Sequence, residues 1–121
     1  MKRLLLAVVC AALAFAQARK SFWLIRIEPA RESFIQSMTD DEKKIMGDHF
    51  EYLKGKLADG SLVLAGPAMD AKMPVGIILV ETATRGEAEA IANGDPSVKS
   101  GVQKAKVYPF TMALARDKIR Q

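Results

Sequence analysis

The stretch VGIILV, from Val75 to Val80, contains no polar side chain. Alternate side chains of a β-strand point to opposite faces of the sheet, so Val75, Ile77 and Leu79 face one way and Ile78 and Val80 face the other. Both faces of the sheet are therefore apolar at this strand, and each face needs a cover.

Three further segments are predicted to be strands. Phe22 to Ile27 is aromatic and β-branched, and Leu62 to Ala65 is a short apolar run that is expected to pair with Val75 to Val80. The last strand is predicted at Lys106 to Leu114, where Pro109 is tolerable mainly at a sheet edge or a bulge.

Two helices are predicted from the sequence signals at which each begins and ends. Thr39 to Glu42 (TDDE) is a capping box that opens the first helix, and Asp59-Gly60 closes it. Thr84 to Glu87 (TRGE) is a second capping box, and Asn93-Gly94 closes that helix before Asp95-Pro96 begins one further turn.

The first helix is predicted to bury one stripe. Its members recur at the three-four spacing of a helical face: Met46, Phe50, Leu53 and Leu57. Tyr52 falls on the far side and is expected at the surface. His49 lies about 70° from the centre of the stripe, at the boundary between core and solvent.

The order of elements is βαββαβ, which predicts an α+β, ferredoxin-like two-layer sandwich. Two helices cover only one face of the sheet. The other face would be a large apolar patch on a monomer, and burying it against a second copy by two-fold symmetry is the simplest remedy. The sequence therefore predicts a homodimer in which sheet faces sheet.

Residues 1–18 are typical of a secretory signal peptide, with Lys2 and Arg3 before an apolar run and small residues at Ala16 and Ala18 for cleavage. The run is shorter than the roughly 20 residues that span a bilayer. We expect a periplasmic or secreted protein, without membrane attachment after cleavage; an uncleaved anchor is the alternative. The domain is predicted at residues 19–114, followed by a solvated tail at residues 115–121.

Without this leader the chain has 16 basic and 14 acidic residues. The charges alternate in sign, which argues against nucleic-acid binding. Cys10, the one cysteine, belongs to the leader, and the chain has one histidine, which argues against a zinc site. There is no glycine-rich phosphate loop and no cluster with metal-ligand spacing, so neither a cofactor nor a metal is expected.

Four segments resemble one family of proteins: MGDHFEYLKGKLADG from Met46, LVLAGP from Leu62, VGIILVETA from Val75 and GDPSVKSG from Gly94. They are similar to the YCII-related domain proteins, small dimeric α+β barrels of the ferredoxin-like kind. The resemblance runs from about Phe22 to Ala113. It implies a cleft beside the sheet in which a histidine and the aspartate of an Asp-Pro pair act together, here His49 and Asp95.

The resemblance implies little about the substrate. Most members have no assigned reaction, and the few that have one act on small organic molecules, as in dehydrochlorination of an aromatic ring compound. The export signal departs from the usual pattern of the family, so a cytoplasmic catabolic role is not transferred.

Each candidate residue has a structural interpretation as well as a functional one. His49 is either a general acid/base, since the usual histidine pKa near 6.5 suits proton transfer, or a half-buried histidine bonded to a carbonyl or to Asp48. Asp95 either orients the imidazole or caps the turn at Pro96, and its two oxygens allow both roles. Arg31 is a candidate clamp for a substrate carboxylate, or else a surface charge; Arg26 is a weaker one.

Three functional classes remain open. The first is a cofactor-independent enzyme that uses His49 and Asp95 for proton abstraction or elimination on a small organic molecule. The second is a binding module that holds such a molecule without turning it over. The third is an interaction subunit whose dimer surface recruits another exported protein.

Overall fold

The four predicted strands form one antiparallel sheet in the computed structural model, which describes residues 19–69 and 73–120. The strands are β1 (Ser21–Pro29), β2 (Leu62–Ala68), β3 (Val75–Thr82) and β4 (Gln103–Phe110). Their order across the sheet is β2-β3-β1-β4. This order, with the helices between the strands, is the ferredoxin-like βαββαβ arrangement, so the predicted fold is confirmed. The predicted export signal lies outside the described residues.

The helices are α1 (Asp40–Ala58), α2 (Arg85–Gly94), α3 (Pro96–Lys99) and α4 (Asp117–Arg120), with a 3-10 turn at Ile35–Ser37 before α1. None of the helices in the two described ranges is both long enough and apolar enough to span a bilayer. Helix α4 falls in the segment expected to be a solvated tail.

The capping box of α1 forms as predicted. The Thr39 hydroxyl accepts from the Glu42 amide at 3.1 Å, and the Glu42 carboxylate accepts from the Thr39 amide at 3.0 Å. Gly60 follows the helix with a φ of 87°, the left-handed conformation that favours glycine. At α2, Thr84 accepts from the Glu87 amide, but the Glu87 carboxylate accepts from Ala83 instead of closing the box.

Strand β4 begins and ends earlier than predicted. Its register with β1 pairs Gln103 with Pro29 and Phe110 with Phe22, so the length of β1 sets the length of β4. The prediction of Lys106 to Leu114 missed this because Gln103 and Lys104 are polar. Pro109 lies on an edge strand, as expected for a residue without an amide proton.

The helices cover one face of the sheet. Buried on that face are Ile25 and Ile27 of β1 and Ile78 and Val80 of β3. A register shift between Leu62 and Leu64 changes the alternation in β2. Leu62 consequently joins the helix-covered core, whereas Leu64 pairs with Leu79 on the open face.

The face that α1 packs against the sheet differs from the predicted stripe. Leu53 is buried and Met46 is half-buried, as expected, but Phe50 and Leu57 are 63% and 57% exposed. The helix is turned about its axis, so that His49 lies on its packed side instead of at the boundary.

Tyr52 accounts for much of this rotation of α1 about its axis. It was predicted at the surface, but its ring packs against the core, and its hydroxyl donates to the Ile91 carbonyl oxygen of α2 at 2.8 Å. A tyrosine ring favours burial when its hydroxyl finds such a partner. Burial raises the pKa of Tyr52, and the negative charge of Asp95 raises it further.

The contact between Tyr52 and α2 requires a glycine at position 94. A Cβ atom on Gly94 would lie 2.8 Å from the Tyr52 hydroxyl oxygen, too close for two unbonded atoms. The last residue of α2 can therefore approach α1 closely, and the next residue in the chain is Asp95.

We predict that Gly94→Ala destabilises the protein by about 1–3 kcal/mol, the usual cost of overpacking, although alanine is the better helix former. Urea unfolding measures the change. Adding Tyr52→Phe should restore part of the loss, because it removes the atom that clashes.

The matched control is Gly86→Ala in the first turn of α2, where a Cβ would make only an ordinary 3.8 Å contact with Thr84. It should not destabilise the protein. Strictly additive effects of Gly94→Ala and Tyr52→Phe would contradict the proposed contact.

Candidate functional site

Asp95 is a buried carboxylate at the junction of α2 and α3, with 2% of its surface exposed. One oxygen, Oδ1, accepts from the Ser97 amide at 2.9 Å and caps α3, in which Pro96 is the first residue. The capping role expected of an Asp-Pro pair is present. It occupies one of the two carboxylate oxygens.

The other oxygen of Asp95 binds His49. Asp95 Oδ2 lies 2.6 Å from His49 Nδ1, although 46 positions separate the two residues in the chain. The histidine side chain is 14% exposed. Asp48, the alternative partner, instead lies 3.4 Å from Lys44 through its Oδ2 atom. The structure therefore brings together the two residues that the sequence singled out.

This geometry fixes the chemistry of the imidazole ring. A carboxylate so close to Nδ1 favours the proton on that nitrogen, which leaves Nε2 as a lone-pair acceptor. Nε2 makes no hydrogen bond within the described part of the chain. A neutral histidine held this way can take a proton from a ligand, and the aspartate stabilises the imidazolium that results.

His49 borders a cavity of about 360 Å³ between α1 and one end of the sheet. This volume falls within the range of small-molecule sites. The lining comes from the 3-10 region, the inner face of α1 and the adjoining strand ends: Ile27, Pro29, Phe34, Ile35, Met46, His49, Phe50, Leu53, Ala65, Gly66, Pro67, Met69, Pro74, Gly76, Ile77, Ile78 and Gln103. Among these described residues, only His49 and Gln103 have polar side chains.

Ser97 and Gln103 are members of the site that sequence reasoning missed. Ser97 is fully buried, and its Oγ lies 2.8 Å from Asp95 Oδ1, 2.9 Å from Gln103 Oε1 and 3.4 Å from His49 Nδ1. Gln103 is 8% exposed at the start of β4. The alternation of QKAKVY was the available signal, because it places Gln103, Ala105 and Val107 on the inner face once the strand begins at residue 103.

Arg31, the predicted substrate clamp, is already paired. Its guanidinium donates to Glu42 at 2.7 and 3.2 Å and to Ser37, and it is not among the residues that line the cavity. Arg31 lowers the pKa of Glu42 to about 2, with help from the Thr39 amide. The pair ties the segment after β1, which includes the lining residue Phe34, to the first turn of α1.

Arg26, the weaker candidate, lies 3.0 Å from Glu28 on the same strand. Both side chains point to the open face of the sheet, away from the cavity, because they alternate with the buried Ile25 and Ile27. In the ranges 19–69 and 73–120 there is no cluster of three or more histidine, cysteine or acidic residues that could hold a metal ion.

Comparisons with known proteins agree with this fold. No curated protein matches the chain in sequence. Among solved structures, the uncharacterised protein TM1266 from Thermotoga maritima superimposes with a TM-score of 0.50 at 17% identity, over 77% of this chain and 100% of that one. At that identity the likeness speaks for the fold alone.

The model of the YCII-related domain matches residues 22–111, which is most of the chain and includes all four strands except Ser21, the first residue of β1. The match covers His49, Asp95 and the residues that surround them. The chain therefore belongs to the YCII-related domain family.

Proposed function

We propose that the protein is a cofactor-independent enzyme that uses His49 and Asp95 for acid/base chemistry on a small organic molecule. The observation that carries the proposal is the 2.6 Å contact between His49 Nδ1 and Asp95 Oδ2 at the wall of an apolar cavity. Many lyase and isomerase reactions begin with removal of a proton by a base of this kind.

His49 is the proton acceptor in this proposal. Nε2 takes a proton from a carbon or oxygen of the substrate, and the electron pair of the broken bond stays on the substrate as an enolate or phenolate, or expels a leaving group. Asp95 stabilises the imidazolium through Nδ1. The proton then returns to the product or passes to water.

The lining of the cavity limits the substrate. Its described members include the aromatic rings of Phe34 and Phe50 and no cationic side chain. A molecule with a large net charge would lose its hydration there without compensation, so the favoured substrates are small, mostly apolar and possess at least one acidic proton. Substrate binding by Arg31 stays a prediction, and it would require the guanidinium to leave Glu42.

A binding module is the second candidate. The apolar character of the cavity favours it, because such a lining holds a small ligand whether or not His49 removes a proton. In that case His49 Nε2 would only accept a hydrogen bond from the ligand, and Asp95 would hold the imidazole ring in place. An interaction subunit that recruits another protein through the dimer is the third.

The proposed location is the periplasm or the exterior of the cell. It rests on the basic residues Lys2 and Arg3, the apolar run and the alanines before residue 19.

We predict that the protein accelerates exchange of the acidic C–H protons of 2-indanone with deuterated water, and that His49→Ala reduces the rate about 10²- to 10⁴-fold, the usual contribution of a general base. Proton NMR of the ketone measures the loss of signal. Asp95→Asn should also slow exchange: asparagine still caps α3, but its neutral amide no longer favours the proton on Nδ1.

Asp48→Asn is the matched control, because it removes a carboxylate next to His49 in the chain that faces solvent and Lys44. It should leave the rate unchanged. Binding of the ketone without faster exchange would favour the binding module, and exchange that survives His49→Ala would contradict a base at this position.

The open face of the sheet supports the proposal of a homodimer. One row across the four strands consists of Leu64, Leu79, Leu24 and Tyr108, in register. Leu64 and Tyr108 are 40% and 42% exposed in the single chain, and Phe110 on the same face is 39% exposed. A second copy that covers these exposed apolar side chains would remove them from water.

We predict that the protein sediments as a dimer and that Leu64→Glu, which would bury a charge in the interface, shifts it to a monomer in analytical ultracentrifugation. Leu57→Glu is the control, because Leu57 is a similarly exposed leucine on α1. A wild-type monomer, or a dimer indifferent to Leu64→Glu, would contradict the arrangement.

A further inference from the structure

We infer that Gln103 determines which ligands the cavity accepts, by presenting its side-chain carbonyl oxygen to the cavity on the same wall as His49. The site would then select small apolar molecules that have a second hydrogen-bond donor beside the group that loses its proton. This inference rests on the proposed function and names the class of substrate.

Ser97 has a single hydroxyl proton and two acceptors within reach of it. Its Oγ lies 2.8 Å from Asp95 Oδ1 and 2.9 Å from Gln103 Oε1, and both are acceptors. One proton serves one of them well. The carboxylate is the charged acceptor and takes it, since hydrogen bonds to ionised groups are about twice as strong as neutral ones.

Two oxygens without a proton between them repel each other at 2.9 Å. Turning the Gln103 amide end for end removes the conflict, because its nitrogen and oxygen have nearly the same size and shape. The amide nitrogen then donates to Ser97 Oγ, Ser97 donates to Asp95, and Asp95 also accepts from His49. Each of these three contacts then joins a donor to an acceptor.

This orientation leaves the Gln103 carbonyl oxygen on the cavity side. One end of the Gln103 amide bonds to Ser97. The other end makes no hydrogen bond within the described residues, and it is not one of the buried side-chain atoms that lack a hydrogen-bond partner there. Gln103 also lines the cavity. The free end therefore opens into the cavity.

Ser97 holds Gln103 and His49 in one arrangement. Its Oγ lies 2.9 Å from the amide of Gln103 and 3.4 Å from His49 Nδ1, and it is fully buried. The cavity consequently offers two acceptors on one side, Nε2 of neutral His49 and the Gln103 carbonyl, against an otherwise apolar lining. A ligand with two adjacent donors satisfies both.

A ligand with one donor should bind less tightly because of Gln103. It leaves the carbonyl oxygen unpaired in a site from which the ligand has excluded water, and an unpaired buried acceptor is costly. Replacing the second donor by a methyl ether is the smallest such change, because it keeps an oxygen at the same place but removes its proton.

The test compares two probes, 2,3-dihydroxynaphthalene and its monomethyl ether, by isothermal titration calorimetry against the full protein. The wild type should bind the diol about tenfold more tightly, or better. Gln103→Met, which has a similar volume and no amide, should bring the two affinities close together. Gln36→Met is the control, because it is the same substitution at an exposed residue that does not line the cavity, and it should keep the preference.

Ser97→Ala tests the orientation and leaves Gln103 in place. Without the hydroxyl, the amide is free to turn its NH₂ group towards the methoxy oxygen, so the preference for the diol should shrink. In the wild type, NMR should show a Gln103 side-chain amide that exchanges slowly with water, because it donates to a buried serine.

Equal affinity for the two probes, no binding of the diol, or an amide that exchanges freely would each overturn the role of Gln103. The proposed function fails on a different result, namely unchanged C–H exchange in His49→Ala. The two failures are therefore distinguishable.

Discussion

The site depends on the way one buried carboxylate divides its two oxygens. Asp95 Oδ1 accepts from the backbone and side chain of Ser97, and Asp95 Oδ2 accepts from His49. A carboxylate with 2% exposure is costly to bury unless such partners replace its hydration. The same contacts that make the burial tolerable also join α1 to α3 and fix the imidazole ring. Stability and chemistry therefore depend on the same group.

The fold explains why this carboxylate lies beside a cavity. The cavity lies at one end of the sheet, where α1 crosses it. At this end β1 and β2 finish and β3 and β4 begin. Gly76 on β3 lies so close to Ile27 that a Cβ would overlap its side chain. The floor of the cavity is thus tightly packed, whereas its mouth includes the exposed side chains of Phe50 and Met69.

Much of this could be predicted from the sequence, because local chemistry determines it. The capping box at Thr39, the left-handed Gly60 and the Asp-Pro turn are short-range signals. The two-sided apolar strand at Val75 to Val80 is a central strand of the sheet, and the cover of its second face stays a prediction. The pairing of His49 with Asp95 was implied by the family resemblance. Periodicity alone placed the histidine about 70° from the buried stripe.

The remainder depended on contacts between distant segments. Which side of α1 faces inward was decided by Tyr52, whose hydroxyl finds a carbonyl oxygen on α2, and no local pattern reveals that partner. Ser97 and Gln103 were missed for a similar reason, since both belong to a hydrogen-bond network that also includes His49 of another helix. The start of β4 at Gln103 follows from the length of β1 and not from its own polar residues.

The most direct test of the central claim is the protonation of the single histidine, measured by long-range ¹H–¹⁵N NMR on protein without a histidine tag at a pH where the ring is neutral. We expect the Nδ1–H form with an unprotonated Nε2, and a shift towards the Nε2–H form in Asp95→Asn. Asp48→Asn should leave the spectrum unchanged. A ring that carries its proton on Nε2 in the wild type, or one indifferent to Asp95→Asn, would contradict the account.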